Sequence, residues 1–199
     1  MSRPQCTSCH YPLKACLCAS IKPMQVTTEL IVLQDPSEVN HAKNSVRLMQ
    51  LVIADTQVFV GETAADFTAL RDYLAQADKP IYLVYPSDKS ELASQRSFKE
   101  DAILLLLDGT WRKAYKLLQL NPWLQAFPAL HLDLDSASNY TIRKASRSDS
   151  LSTLEASAMM LKAINPQQDV TPLTDALAAL VEQRLASMPS DVRARYQAK

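Results

Sequence analysis

Apolar positions along the chain come in two kinds of stretch: short uninterrupted runs, and longer segments where they recur every three or four residues. The uninterrupted runs read as buried strands. Leu30-Ile-Val-Leu33 lies within Glu29 to Gln34 and ends at Asp35-Pro36. Thr56 to Gly61 is a second strand, and Ile81 to Tyr85, closed by Pro86-Ser87, is a third. Ile103 to Leu107 is the fourth and most strongly apolar, and Ala129 to Leu134 is the fifth. Segments of helical spacing alternate with them. Ser37 to Leu51 repeats Val39, Ala42, Val46 and Met49, with Asp35 or Ser37 as N-cap, and Ala65 to Gln76 places Phe67, Leu70 and Leu74 on one side. Trp111 to Leu120 is helical until Asn121-Pro122 ends it, and Leu154 to Ile164 and Leu173 to Leu185 make the C-terminus helical. Continuous apolar strands separated by helices predict an α/β fold with a parallel sheet covered on both faces.

Composition narrows the picture. A length of 199 residues suits one domain with a small appendage. Apolar residues at 47% and charged residues at 21% exclude disordered and collagen-like chains. No apolar run approaches the roughly 20 residues of a membrane span. No basic region followed by an apolar stretch opens the sequence, so the expectation is a soluble, cytoplasmic protein without a secretory signal. The two glycines, Gly61 and Gly109, stand far apart, where an average chain of this length carries about fourteen. A Walker-A ATPase and a glycine-rich dinucleotide-binding fold are thereby excluded. Lys+Arg and Asp+Glu are equal at 21 each, so nucleic acid would have to be met by a local basic patch.

All four cysteines fall in the first eighteen residues, as Cys6-x-x-Cys9 and Cys16-x-Cys18. Two short pairs joined by a turn suit tetrahedral Zn²⁺. The expectation is a structural zinc knuckle over residues 1–24, too small to fold without metal, with His10 a neighbour rather than a ligand. A closed four-thiolate site leaves no open position for catalysis. The competing reading is a redox-sensitive or disordered tail.

Two blocks carry candidate chemistry. Asp108-Gly109-Thr110-Trp111 leaves the fourth strand at its carboxyl end, where open parallel sheets bind ligands. Thr110 can cap the following helix and Trp111 offers a flat apolar surface. The plainer reading is a capping acid and a core Trp. Ser152-Thr-Leu-Glu155 is a capping-box signature. Before it, Arg143, Lys144 and Arg147 beside Tyr140 form the sharpest basic cluster in the chain, suited to a phosphate and a stacked base or simply to solvent. Asp35-Pro36-Ser37-Glu38 with His41, and Tyr85-Pro86-Ser87-Asp88, are weaker candidates. His131, inside a strand, favours a structural role.

In their order, these blocks resemble the DTW-domain family, the bacterial tRNA-uridine aminocarboxypropyltransferases above all. Asp108-Gly109-Thr110-Trp111 is similar to the Asp-x-Thr-Trp signature. Tyr140-x-x-Arg143 and Ser152-Thr-Leu-Glu155-Ala156 are similar to the second block. Asp35-Pro36-x-Glu38 resembles a block usually written His-Pro-x-Glu, with Asp35 in place of His, and the cysteine pairs recur in bacterial members. The resemblance runs from about Cys6 to about Leu161. It implies a SPOUT-like, mostly parallel sheet with a C-terminal trefoil knot over residues 25–199. It also implies transfer of a 3-amino-3-carboxypropyl group from S-adenosylmethionine (SAM) to N3 of a tRNA uridine, in the variable loop in bacterial members, with release of methylthioadenosine.

Read against that chemistry, Asp108 accepts the N3 proton or orients the base, with Thr110 and Trp111 beside it. SAM would be held by Val84, Tyr85 and Pro86, by Leu107, Asp108 and Gly109, by Tyr140 and Arg143, and by Leu151, Ser152, Thr153 and Glu155. Arg112, Lys113, Arg143, Lys144 and Arg147 would meet tRNA. Two alternatives stand beside this: a SPOUT-type RNA methyltransferase, and a non-catalytic zinc-containing RNA-binding adaptor.

Overall fold

The apolar runs become the centre of a six-stranded parallel sheet. A computed structural model describes residues 4–41, 44–98, 101–133, 151–190 and 193. Its elements are β1 (Glu29–Gln34), α1 (Ser45–Val52), β2 (Gln57–Val60), α2 (Thr68–Ala75), β3 (Ile81–Val84), β4 (Glu91–Leu92), β5 (Ile103–Asp108), α3 (Trp111–Leu120), β6 (Ala129–His131), α4 (Thr153–Ile164) and α5 (Thr171–Ala186). The strand order is β2-β1-β5-β3-β6-β4, and each pairing is parallel.

Alternation along the strands explains why the runs are apolar throughout. Leu30 and Val32 of β1, with Leu104 and Leu106 of β5, face a core built with α1, α4 and α5. Ile31 and Leu33, with Ile103 and Leu105, face the opposite core, filled by Phe67, Leu70 and Leu74 and by Leu117 and Leu118 of α3. Both faces are therefore covered, as period-two side-chain direction requires. The chain leaves β1 toward β2 on one side and later fills the other side with β5, β3 and β6. The resulting reversal is where α/β sheets form a crevice at their carboxyl ends.

Several boundaries differ from the periodicity. The helix expected from Ser37 starts at Ser45, because Asp35 caps a 3-10 turn at Pro36–Glu38 and Asn44 then caps α1 by accepting from the Arg47 N–H at 3.1 Å. The helix expected from Ala65 starts at Thr68, after a turn in which Asp66 accepts from the N–H groups of Glu62 and Thr63. β4, only two residues long, has no periodic signal. β6 ends at His131, short of the Leu134 expected for the fifth strand.

The N-terminal segment lies on the body. Tyr11 and Leu17 are buried in the same core cluster as α1, α4 and α5. The Arg47 guanidinium stands 5.6 Å from the Tyr11 ring centroid, and Gln183 of α5 donates to the Cys16 carbonyl at 3.1 Å. Among the described residues, no helix is long and apolar enough to cross a membrane.

Candidate active site at the carboxyl edge of the sheet

Parallel register sets the site. Gln34, the last residue of β1, lies opposite Asp108, the last of β5. Gln34 Nε2 donates to Asp108 Oδ2 at 2.7 Å, and the Thr153 hydroxyl donates to Asp108 Oδ1 at 2.5 Å. Three distant pieces of sequence thus converge on one carboxylate: the end of β1, the end of β5 and the start of α4. The local sequence makes each turn possible. After Asp108, Gly109 keeps its backbone close to α3, since a Cβ there would stand 2.9 Å from Lys113 Cβ. Thr110 then caps α3, accepting from the Lys113 N–H at 3.4 Å. Ser152 caps α4 in a complete capping box: its hydroxyl accepts from the Glu155 N–H at 3.2 Å, and the Glu155 carboxylate accepts from the Ser152 N–H at 2.8 Å.

A solvent-open cleft lies against these ends. Its walls are the β3 exit (Val84, Tyr85, Pro86), the β5 exit (Leu106, Leu107, Gly109, Trp111), the β6 end (Leu130 to Leu132) and the loop into α4 (Leu151 to Thr153). The Trp111 and Tyr85 rings meet edge to face, with centroids 6.2 Å apart. Burial raises the Tyr85 hydroxyl above its ordinary value, so it stays a neutral phenol. An apolar cleft with two aromatic walls, and a carboxylate held behind its Thr153 wall, suits a flat ligand with a polar edge.

His131 also faces this cleft. Its Nδ1 lies 2.9 Å from Ser90 Oγ. The Ser90 proton goes to the Ser87 carbonyl at 2.6 Å, so its oxygen is left to accept from Nδ1–H of His131. The sequence favoured a structural role for His131. Nδ1 has one, but the ring stands on the cleft wall.

On the far side of α3 the charges are paired. Lys113 Nζ meets Glu38 Oε1 at 2.7 Å, and Lys116 Nζ meets Glu62 Oε2 at 2.7 Å. The Glu38 hydrogen bond raises the Lys113 ammonium above its usual range. Burial pushes the Asp35 carboxyl up, but the Ser37 hydroxyl and N–H, then Lys113 and Lys116, outweigh it and hold Asp35 below the usual range. Asp35 thus serves as the cap of the 3-10 turn that follows it.

The four thiols form a second, separate constellation. Their Sγ atoms all lie within 4.8 Å of one another, with Cys6 to Cys18 at 3.6 Å and Cys9 to Cys16 at 3.8 Å, too long for disulfides. His10 is not among this group and instead occupies the left-handed region, with φ 56°, turning the chain after Cys9. Backbone N–H groups of Cys9 and Ser8 hold the Cys6 thiol down at about 6, whereas hydrogen bonds among the thiols, Cys16 first, push Cys18 up to about 12. Such a set carries thiolate character in a closed geometry able to hold a metal ion.

Of the residues expected from sequence, Val84, Tyr85, Pro86, Leu107, Gly109, Trp111, Leu151, Ser152 and Thr153 line the one cleft, with Asp108 tied to Thr153 beneath it. Glu155 closes its capping box and borders a different groove, between α4 and α5. Arg112 and Lys113 lie by the charged pairs outside the cleft. Tyr140, Arg143, Lys144 and Arg147 lie outside the described residues. Sequence reasoning missed Gln34 and underrated His131. The signal for Gln34 was a polar residue closing a wholly apolar central strand.

The DTW domain matches residues 3–185. A mouse (Mus musculus) protein named tRNA-uridine aminocarboxypropyltransferase 2 is 29% identical over 169 residues, covering 80% of this chain and 56% of the mouse protein. Proteins of the same name from Macaca fascicularis and Drosophila melanogaster are 27% and 26% identical, covering 80% and 84% of this chain and 56% and 69% of their own lengths. The chain therefore spans little more than half the length of the mouse and macaque relatives. No solved structure matches it significantly. Since the match takes in the thiol knuckle, the Asp108–Trp111 turn and the whole of α4, the chain belongs to the DTW domain family.

Proposed function

We propose that this chain is a tRNA-uridine aminocarboxypropyltransferase that moves the 3-amino-3-carboxypropyl group of SAM to N3 of a tRNA uridine, in the variable loop, and releases methylthioadenosine. The observation that carries this reading is that Gly109 and Trp111 meet Leu151, Ser152 and Thr153 in a single cleft at the carboxyl edge of a parallel sheet, with Asp108 bonded to Thr153 beside it and Thr110 capping α3. Membership of the DTW family and the printed names of the relatives support it.

In this reading Tyr85 and Trp111 would wall the flat rings, and the loops after β3 and β5, with Leu151 to Thr153 before α4, would hold SAM. Arg143 pairs with the SAM carboxylate or a tRNA phosphate, with Tyr140 beside it, and Glu155 stays a cap. The N3–carbon bond forms as the carbon–sulfur bond of the sulfonium breaks, and the N3 proton passes to the Asp108 carboxylate and on to water. Arg112, Lys113, Lys144 and Arg147 meet the tRNA backbone; Lys113 must exchange Glu38 for a phosphate to do so.

The thiols hold structural zinc. A tetrahedron with bonds of about 2.3 Å has edges of about 3.8 Å, which the Sγ separations of 3.6 and 3.8 Å match. The ion would knit residues 1–24 into a knuckle seated on a catalytic domain over 25–199. That domain is SPOUT-like with a C-terminal trefoil knot, and the protein works in the cytoplasm.

The test is a pair of labels. With SAM labelled in its carboxyl carbon, tRNA gains label; with SAM labelled in its methyl group, the label stays in methylthioadenosine. The reverse outcome makes the protein a methyltransferase. tRNA binding without SAM binding makes it an adaptor.

A further inference from the structure

Gln34 closes β1 opposite Asp108 and is 3% exposed; Asp108 itself is 9% exposed. A carboxamide can turn either way, but a contact of 2.7 Å to Asp108 Oδ2 decides for the NH₂ group, because two acceptor oxygens that close would repel. Thr153, the first residue of α4, donates to the other oxygen. Asp108 is therefore gripped at both oxygens, by donors from opposite ends of the sequence. Lys113 of α3 attracts it. Asp35, after β1, donates its N–H to the Asp108 carbonyl at 3.1 Å while its own carboxylate is turned to Ser37.

We infer that Gln34 is a positioning residue of the transfer reaction: its amide keeps the Asp108 carboxylate ionised and in one plane, aimed at the target uridine before the uridine arrives. This rests on the transfer reading and deepens it. An acceptor fixed in advance needs no reorganisation at the moment of reaction, which is where preorganised groups gain their effect. The position calls for a neutral donor. Glutamate has the same shape, but would set two carboxylates within hydrogen-bond distance, and one of them must then keep a proton. Leucine keeps the bulk and removes the donor.

Two variants, Gln34→Glu and Gln34→Leu, test this with two readouts. The first is the ¹³C resonance of the Asp108 carboxyl followed against pH, assigned by its loss in Asp108→Asn. Its midpoint rises by at least about one pH unit in both variants, as expected when a donor is removed or replaced by a carboxylate. The second is turnover. At neutral pH, kcat falls about 100-fold, the scale of a misplaced reacting group, while the Kd for SAM stays within about threefold. In Gln34→Glu alone, turnover recovers as pH rises through the new midpoint. A residue that merely filled space would leave the midpoint and the pH profile unmoved, and that result overturns the inference whatever the activity. A shifted midpoint in a protein whose wild type transfers nothing to tRNA overturns the transfer reading instead.

Discussion

The thiol knuckle and the cleft rim are both made of short loops, yet they are held in opposite ways. At the rim, every turn is anchored by the protein itself. The register of β1 and β5 levels Gln34 with Asp108, Thr110 and Ser152 cap the helices that follow, and Thr153 ties α4 back to β5. At the knuckle, backbone bonds such as Cys6 N–H to the Tyr11 carbonyl close the turns, but they leave four thiols gathered within 4.8 Å of one another. The rim is preorganised by hydrogen bonds and a sheet; the knuckle, in the proposed reading, is completed by a metal ion. Loops proposed to carry chemistry and loops able to hold a metal are thus built on different physical terms in one chain.

That contrast can be broken from either side. The largest effect is expected at the rim. Asp108→Ala lowers the transfer rate by about 10²- to 10⁴-fold, the usual scale for a positioned proton-handling group, while the thermal transition stays within a few degrees and SAM still binds. Wild-type turnover in that variant would remove Asp108 from the mechanism. Chelation is the matching test of the knuckle. Removing metal releases Tyr11 and Leu17 from the core, about 2 kcal/mol each. At about 2–4 °C per kcal/mol for a chain of this size, the melting temperature falls by roughly 10 °C. SAM binding at the cleft survives, because no rim residue depends on the thiols. Equal loss of both under calorimetry would show that the regions are coupled.

The two glycines sharpen the same comparison. Neither adopts a positive φ, so any cost of a side chain is steric. Gly61→Ala drives a Cβ to 2.5 Å from Asp66 Cβ, and Gly109→Ala one to 2.9 Å from Lys113 Cβ. Each loses about 1–3 kcal/mol of stability by denaturant titration, but only Gly109→Ala shifts kcat, because only Gly109 lines the cleft. Ser152→Ala, which breaks the capping box, costs about 1 kcal/mol and loosens Thr153 against Asp108. A melting point lowered by a few degrees with reduced kcat is expected.

The smallest effect concerns acid. Asp66 is outside the cleft lining and is held below its usual 3.8 by the N–H groups of Thr63 and Glu62 and then by the Thr63 hydroxyl. A depressed carboxyl contributes stability that is full above its unfolded value and is lost as pH falls through the folded one. Asp66→Asn therefore flattens the acid side of the stability curve below about pH 4 without changing the cleft, which stability measurements across that range will show.

Much of this architecture can be read from the chain, and the reasons differ by element. β1 and β5 announce themselves because parallel strands buried on both faces must be apolar at every position, as Leu30–Leu33 and Leu104–Leu107 are. Ser152 and Glu155 announce α4, because reciprocal capping demands those residue types three apart. What stays hidden is what only register creates. Nothing local to Gln34 says that it will face Asp108, 74 positions later, and nothing local to His131 says that its strand ends on the cleft wall. The 3-10 turn after Asp35 is hidden for another reason: Val39 and Ala42 keep helical spacing through a stretch that Asp35 and Asn44 cap twice. The burial of Tyr11 and Leu17 against α1 and α5 depends on contacts that cross almost the whole chain.

The most direct measurement of the central claim is the mass of nucleosides from unmodified tRNA incubated with purified protein and SAM. The account predicts a uridine heavier by about 101 Da, the aminocarboxypropyl group less the proton it replaces, with methylthioadenosine released in equal amount. A gain of about 14 Da, with no methylthioadenosine, would contradict it and show that the cleft delivers the methyl carbon instead.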